Sequence, residues 1–108
     1  MAFTASEQET EDLFRHADEL LFRDRNYEEA EKLYRQVLSM DNQNIDAINS
    51  VAYCIKFAAT VAEVKPDANT LFEQVYPLYQ DSLRIDPDDI EANFNLGLLY
   101  LQNKNDLP

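Results

Sequence analysis

At 108 residues the chain has the length of one domain, and 21 acidic residues against 9 basic ones give a formal charge of −12, the wrong sign for gripping phosphates, so nucleic acid is excluded as an expected partner. A single Gly leaves no glycine-rich phosphate loop, and a lone Cys54 excludes an internal disulfide. No apolar run approaches the roughly 18 residues of a membrane span, and Met1-Ala2-Phe3-Thr4 lacks the basic stretch and apolar core of a secretory signal. A soluble protein of the cytoplasm, with the nucleus also open to it, is the expectation.

Ser6 to Glu9 has the form of a capping box, which predicts a first helix from about Glu7 to Arg23. Asn26 and Glu29 repeat the device for a second helix, whose apolar face is Tyr27, Ala30, Leu33, Tyr34, Val37 and Leu38. Charged residues on these helices are spaced to pair locally, as Asp12 with Arg15 and Glu29 with Lys32. Asp41-Asn42-Gln43-Asn44 breaks the pattern, because these short polar side chains compete for backbone hydrogen bonds.

A third helix starts near Ile45 and meets no breaker until Pro66, which pushes Lys65 out of the helical region and sets the predicted boundary there. Asp67 is placed to cap a fourth helix from about Ala68 to Ile85. The long, Ala-containing arms on either side of Pro66 predict a protruding helical finger filled by Leu71, and the absence of Gly and Ser disfavours an irregular loop. Pro77 lies inside the fourth helix, where it removes one hydrogen bond and predicts a bend near Glu73 to Tyr76. Asp86-Pro87-Asp88 makes a turn, and Asp88 with Glu91 predicts a further capping pair before a fifth helix from about Asp89 to Asn103. That helix is mostly apolar and shows no single stripe, as expected of one buried on both sides.

Two series recur along these elements. Phe14, Ala17, Leu20 and Leu21 return as Ile48, Val51, Cys54 and Ile55, then as Asn93, Leu96, Leu99 and Tyr100. Tyr27, Ala30, Tyr34, Leu38 and Asp41 return as Phe72, Val75, Tyr79, Leu83 and Asp86. Two alternating helix types repeating at about 34 residues indicate a stacked helical solenoid. With Leu96-Gly97 and Tyr100 on the fifth helix, Ala30 and Tyr34 on the second, and Tyr79 and Pro87 at and after the fourth, the chain resembles the tetratricopeptide repeat family over about residues 11 to 103.

The resemblance implies an all-α, right-handed solenoid of helical hairpins with five helices, about two and a half repeats. Residues 1–6 are then a tail and 7–105 the repeat domain, divided into unit one (11–44), unit two with its extended hairpin (45–89) and the first helix of unit three (90–105). Residues 106–108 form a second tail. It also implies a protein that binds a partner peptide or helix in a concave groove lined by the first helix of each unit; from the residues themselves, which hold no catalytic constellation and only one Cys and one His, a non-enzymatic protein without cofactor or metal is expected. Mapped onto this chain, the lining is Asp12, Arg15, Glu19, Phe22, Asp46, Asn49, Tyr53, Lys56, Glu91, Phe94 and Leu98. At the places of the family's carboxylate clamp stand Arg15, Glu19, Ser50, Glu91 and Asn95, of which only Arg15 suits an acidic tail. Carboxylates interleaved with rings suit a basic or amphipathic protein segment instead.

The fifth helix has no successor in this sequence, so Leu98, Leu101 and either Phe94 or Tyr100 are expected to be open. Three explanations compete: a fragment of a longer repeat protein, a homo-oligomer paired through Phe94, Leu98, Tyr100 and Leu101, or a partner helix laid on this end. An acidic chaperone for a basic client is the alternative to a scaffold or adaptor. Cys54 reads as core filling and His16 as a surface or half-buried packing residue.

Overall fold

The computed structural model describes residues 5–104, with the side chains of Ala5, Asn103 and Lys104 left aside. Among the described residues five helices follow one another: α1 (Ala5–Asp18, extended by a π-helical turn, Glu19–Arg23), α2 (Tyr27–Met40), α3 (Ile45–Val61), α4 (Ala68–Ile85) and α5 (Ile90–Lys104). Each packs chiefly on its neighbours in sequence. The result is extended, 56 × 33 × 19 Å with a radius of gyration of 14.8 Å, against about 13 Å for a compact chain of this length. These are stacked hairpins, not five helices closed about one axis.

Spacing explains the core. Ala30, Tyr34 and Val37 fall on one stripe of α2 and are fully buried, as are Val75 and Tyr79 on α4. Cα-proximal small residues at Ala17, Ala47, Ala52 and Ala92, all 0% exposed, let the backbones approach. Two apolar clusters result, one around Ala17, Leu21, Tyr34, Val51 and Cys54, the other around Ala52, Val75, Tyr79, Ala92 and Leu99. α3 serves both: Val51 and Cys54 face the first, and Ala52 faces the second. A helix apolar on two sides is what stacking requires of an inner position. Tyr34 anchors the first cluster by edge-on contact with Phe14, ring centroids 5.3 Å apart, and by donating its hydroxyl to Asp18 Oδ1 at 2.5 Å.

The helix ends depart from expectation in four places. α1 is already helical at Ala5, so Ser6 does not cap it; its carbonyl accepts from Thr10 Oγ1 at 2.9 Å. Residues 1–4 of the expected N-terminal tail lie outside the described residues, as do Asn105 and the expected tail at 106–108. Asn26 caps α2 by accepting from the Glu29 amide at 3.3 Å, but the reciprocal arm does not form, because the Asn26 amide donates to the carbonyl of Leu20, within the π turn, 2.8 Å away. Glu29 pairs with Lys32 instead, at 3.1 Å.

α3 stops at Val61, short of Lys65, with Ala62 extended at φ −66 and ψ 142. Lys65 Nζ folds back onto the Thr60 carbonyl at 2.7 Å, satisfying a group that further helix would otherwise cover. Asp67 then caps α4 through the Thr70 amide at 2.7 Å. The hairpin is nonetheless long, with 17 residues in α3 and 18 in α4 against 14 in α2. α4 runs through Pro77, which sits on its exposed side. The cap of α5 is Asp89, one residue later than expected: its Oδ2 accepts from the Ala92 amide at 2.9 Å, while the Asp88 amide is held in a turn by Asp86 Oδ1 at 3.0 Å.

Candidate functional site

The π turn at the end of α1 displaces the register so that Leu21 is buried while its neighbour Phe22 stands 66% exposed. Phe22 lies beside Tyr53 of α3, ring centroids 6.0 Å apart. Tyr53 and Phe57 are one helical turn apart, so their rings share a face and stack at 4.2 Å and 21°. Tyr27, the first residue of α2, closes the row at 6.0 Å from Phe57. These four rings and Leu21 line a cleft of about 270 Å³, with Arg25 as the charged residue in its wall.

Carboxylates gather along α1, in the α2–α3 turn and at the beginnings of α3 and α5. A cavity of about 600 Å³ between α1 and the α2–α3 turn has Phe14 and Met40 in its lining, with Glu11, Asp18, Asp41 and Asp46 among its acids and Arg15 beside them. Asp46 begins α3 and Glu91 begins α5. Partial burial first, then the charges of Asp89 and Asp46, hold the Glu91 carboxyl above the usual carboxylate range. The acids of α3 and α5 are therefore close enough to feel one another.

Against the expected groove lining, the structure brings Phe22 to Tyr53 and Asp46 to the vicinity of Glu91. Asp12 pairs with Arg15 at 2.7 Å, as their spacing predicted. Glu19 lies 3.8 Å from Arg23, on an exposed face. Lys56 is half-buried, and loss of solvent lowers its ammonium from the ordinary lysine value. Asn49 is a correction. It is 2% exposed and unavailable to a ligand, since its amide joins Ser82 of α4 to Asp89 before α5. A polar side chain on a helix between two neighbours is drawn inward when both supply partners.

On α5, Phe94 is 65% and Leu101 61% exposed, and Ile90 is the most open large apolar residue there at 84%. Leu98 is half-buried, contrary to the expectation that it is open. Phe94 and Tyr100 are both exposed, but Tyr100 lies against Phe72 and Tyr76, with centroids 5.9 Å from each. Phe94 joins no ring among the described residues.

Three lining residues were missed: Tyr27, Phe57 and Arg25. The one-turn spacing from Tyr53 is a usable signal for Phe57. Nothing local marks Arg25, whose φ of 53 is the one left-handed non-glycine conformation among the described residues.

Among the described residues no group of three His, Cys, Asp or Glu side chains is arranged to hold a metal ion, and no helix is long and apolar enough to cross a membrane. The Cys54 thiol is fully buried, and burial pushes it up to about 12, which removes the thiolate a nucleophile needs.

No curated protein and no solved structure matches the chain. Residues 78–107, from the second half of α4 through α5, match the family model described as a tetratricopeptide repeat. That match covers the junction where α4 hands over to α5, and the buried Ala30 and Tyr34 of α2 correspond in spacing to the buried Val75 and Tyr79 of α4. Residues 78–107 are thus similar to a tetratricopeptide repeat, a helical-hairpin module for protein–protein interaction, and the all-α hairpins before them are consistent with that fold.

Proposed function

We propose that this protein is a non-enzymatic scaffold or adaptor that holds a basic or amphipathic segment of another protein along the face shared by α1, α3 and α5. The observation that carries this reading is the division of that face, with the exposed ring of Phe22 beside the half-buried ring of Tyr53 toward one end and the carboxylates of Glu11, Asp46 and Glu91 toward the other. Lysine and arginine stems lie well on rings while their heads seek acids. The setting is the cytoplasm or nucleus, where a free thiol such as Cys54 stays reduced.

The test is calorimetric titration with two synthetic amphipathic helices, one of Leu and Lys, the other of Leu and Glu in the same order. The Lys peptide binds, and its affinity drops about tenfold in an Asp46→Lys, Glu91→Lys variant. Equal affinity for both peptides, or an unaltered affinity in the variant, overturns the reading. An acidic chaperone for basic clients is separated by salt: binding driven by the net charge of −12 weakens steeply as salt rises to physiological strength, whereas ring contacts respond little.

A second reading, self-association through α5, is favoured by Ile90, Phe94 and Leu101, each more than half exposed on one helix.

A further inference from the structure

The cleft at the end of α1, whose Phe22 and Tyr53 rings also serve the basic-segment reading, has one feature that a basic segment does not use, the cation Arg25. Its walls are Leu21 and the rings of Phe22, Tyr27, Tyr53 and Phe57, and its one charged lining residue is a cation, in a chain whose formal charge is −12. Arg25 is fully outside the ion-pair network around it. Arg23, two residues earlier, is held by Asp24 at 3.1 Å and lies 3.8 Å from Glu19, whereas Arg25 has no ionic or hydrogen-bonded side-chain partner among the described residues.

The backbone there is also costly. At φ 53 Arg25 adopts the left-handed conformation that glycine takes freely and residues with a Cβ avoid. The conformation itself is needed to leave the π turn, as the Asp24 and Asn26 amides donate back to the Glu19 and Leu20 carbonyls. Glycine would serve that turn with less strain, so the strain accompanies a side chain set at the mouth of a ring-lined cleft.

About 270 Å³ is below the usual small-ligand range of about 300–1,000 Å³, so the cleft fits a single side chain. The rings favour an aromatic one. An unpaired guanidinium at the rim favours a carboxylate beside it. In an extended segment, side chains two places apart point to the same face.

We propose that this cleft is a subsite for an aromatic residue of a partner polypeptide, with an acidic residue two places along the same extended segment meeting Arg25. The acid belongs to a side chain rather than to a chain terminus, because terminal carboxylates are held by nests of backbone amides, and the amides of Asp24 and Asn26 are already engaged. The proposal goes beyond the basic-segment reading and stands without it. For a segment that also reaches Asp46 and Glu91 with basic residues, the two charge contacts together fix the direction in which it lies.

The experiment follows backbone and ring resonances of the labelled full chain by NMR during titration with acetyl-Phe-Ala-Glu-amide, acetyl-Phe-Ala-Gln-amide and acetyl-Ala-Phe bearing a free terminal carboxylate. Shifts concentrate at Phe22, Arg25, Tyr27, Tyr53 and Phe57, and the Glu peptide binds about fivefold tighter than the Gln peptide, the scale of one exposed charge pair. Arg25→Gly, which suits the backbone and so preserves the fold, removes the preference; Arg25→Lys retains it. Equal affinities for the Glu and Gln peptides, a preference that survives in Arg25→Gly, tighter binding of the free-terminus peptide, or shifts located elsewhere each overturn the proposal.

Discussion

Asn49 and Asp89 stand 40 positions apart, yet Asn49 Nδ2 donates to Asp89 Oδ2 at 3.0 Å. The same asparagine accepts from Ser82 Oγ at 2.8 Å, and the same carboxylate oxygen caps α5 through the Ala92 amide. One buried amide therefore ties α3, α4 and the start of α5 together, and it does so with every polar atom partnered. Because Asn49 and Ser82 are 2% and 0% exposed, no water replaces a lost partner cheaply.

Asn49→Leu is accordingly expected to lower stability by about 2–3 kcal/mol, through the stranded Ser82 hydroxyl and the loosened Asp89 cap. Chemical denaturation of Asn49→Leu, Ser82→Ala and the double variant checks this. The double variant is expected to be less destabilised than the two single losses added together, since removing both partners leaves no orphan. Strict additivity would show that the network does not act as a unit.

Tyr34→Phe removes only the hydroxyl that donates to Asp18 Oδ1. Its ring stays packed on Phe14 and within the first apolar cluster. A hydrogen bond to a charged acceptor sets the expected loss at about 1.5 kcal/mol, with helix content unchanged by circular dichroism. An unaltered denaturation midpoint would mean that solvent serves Asp18 equally well.

Alkaline pH should unfold this chain from within. Burial pushes the Cys54 thiol up to about 12 from an ordinary value of 9.0, and the Tyr79 hydroxyl, beside the charge of Glu91 as well, up to about 12 from 10.0. Burial, together with the Asp18 carboxylate, raises Tyr34 also. For each, the unfolded chain loses its proton at lower pH than the folded one, so the unfolded state binds fewer protons and stability falls as pH rises. The melting temperature is expected to be level up to about pH 8 and to fall from about pH 9 onward. Cys54→Val, which keeps the packing and removes the thiol, is expected to flatten the first part of that fall.

Gly97 and Leu101 probe the open side of α5. A Cβ built on Gly97 meets nothing within 4 Å, so Gly97→Ala is expected to raise stability by about 0.5–1 kcal/mol in a free monomer, from helix propensity alone. Leu101→Glu adds charge at a residue 61% exposed and is expected to leave the melting temperature nearly unchanged while abolishing any concentration-dependent sedimentation. Leu98, being half-buried, is the poorer place for that substitution. A parent chain that sediments as a monomer at all concentrations removes the self-association reading.

Much of this was legible in the sequence, for reasons that differ by residue. Tyr34 and Tyr79, Ala30 and Val75, and Val51 with Cys54 declared the alternating hairpins, because helical periodicity and repeat spacing are properties of the chain itself. Asn26 and Asp67 announced their helix starts, since a cap depends on residues three positions apart. The cleft was only half legible. Tyr53 and Phe57 are neighbours by helical spacing, but their meeting with Phe22 and Tyr27 depends on the π turn and on how α2 docks against α3.

Local chemistry by itself thus determined the helices, their order and their stacked, all-α arrangement. The tertiary structure alone decided which polar side chain turns inward, where α3 stops, and which rings converge around Arg25. Asn49 looks outward on an isolated helix; it is buried because Ser82 and Asp89 arrive from two other elements to satisfy it. Periodicity is encoded within a few residues, whereas burial and convergence arise only when separate segments pack, and no local pattern carries that information.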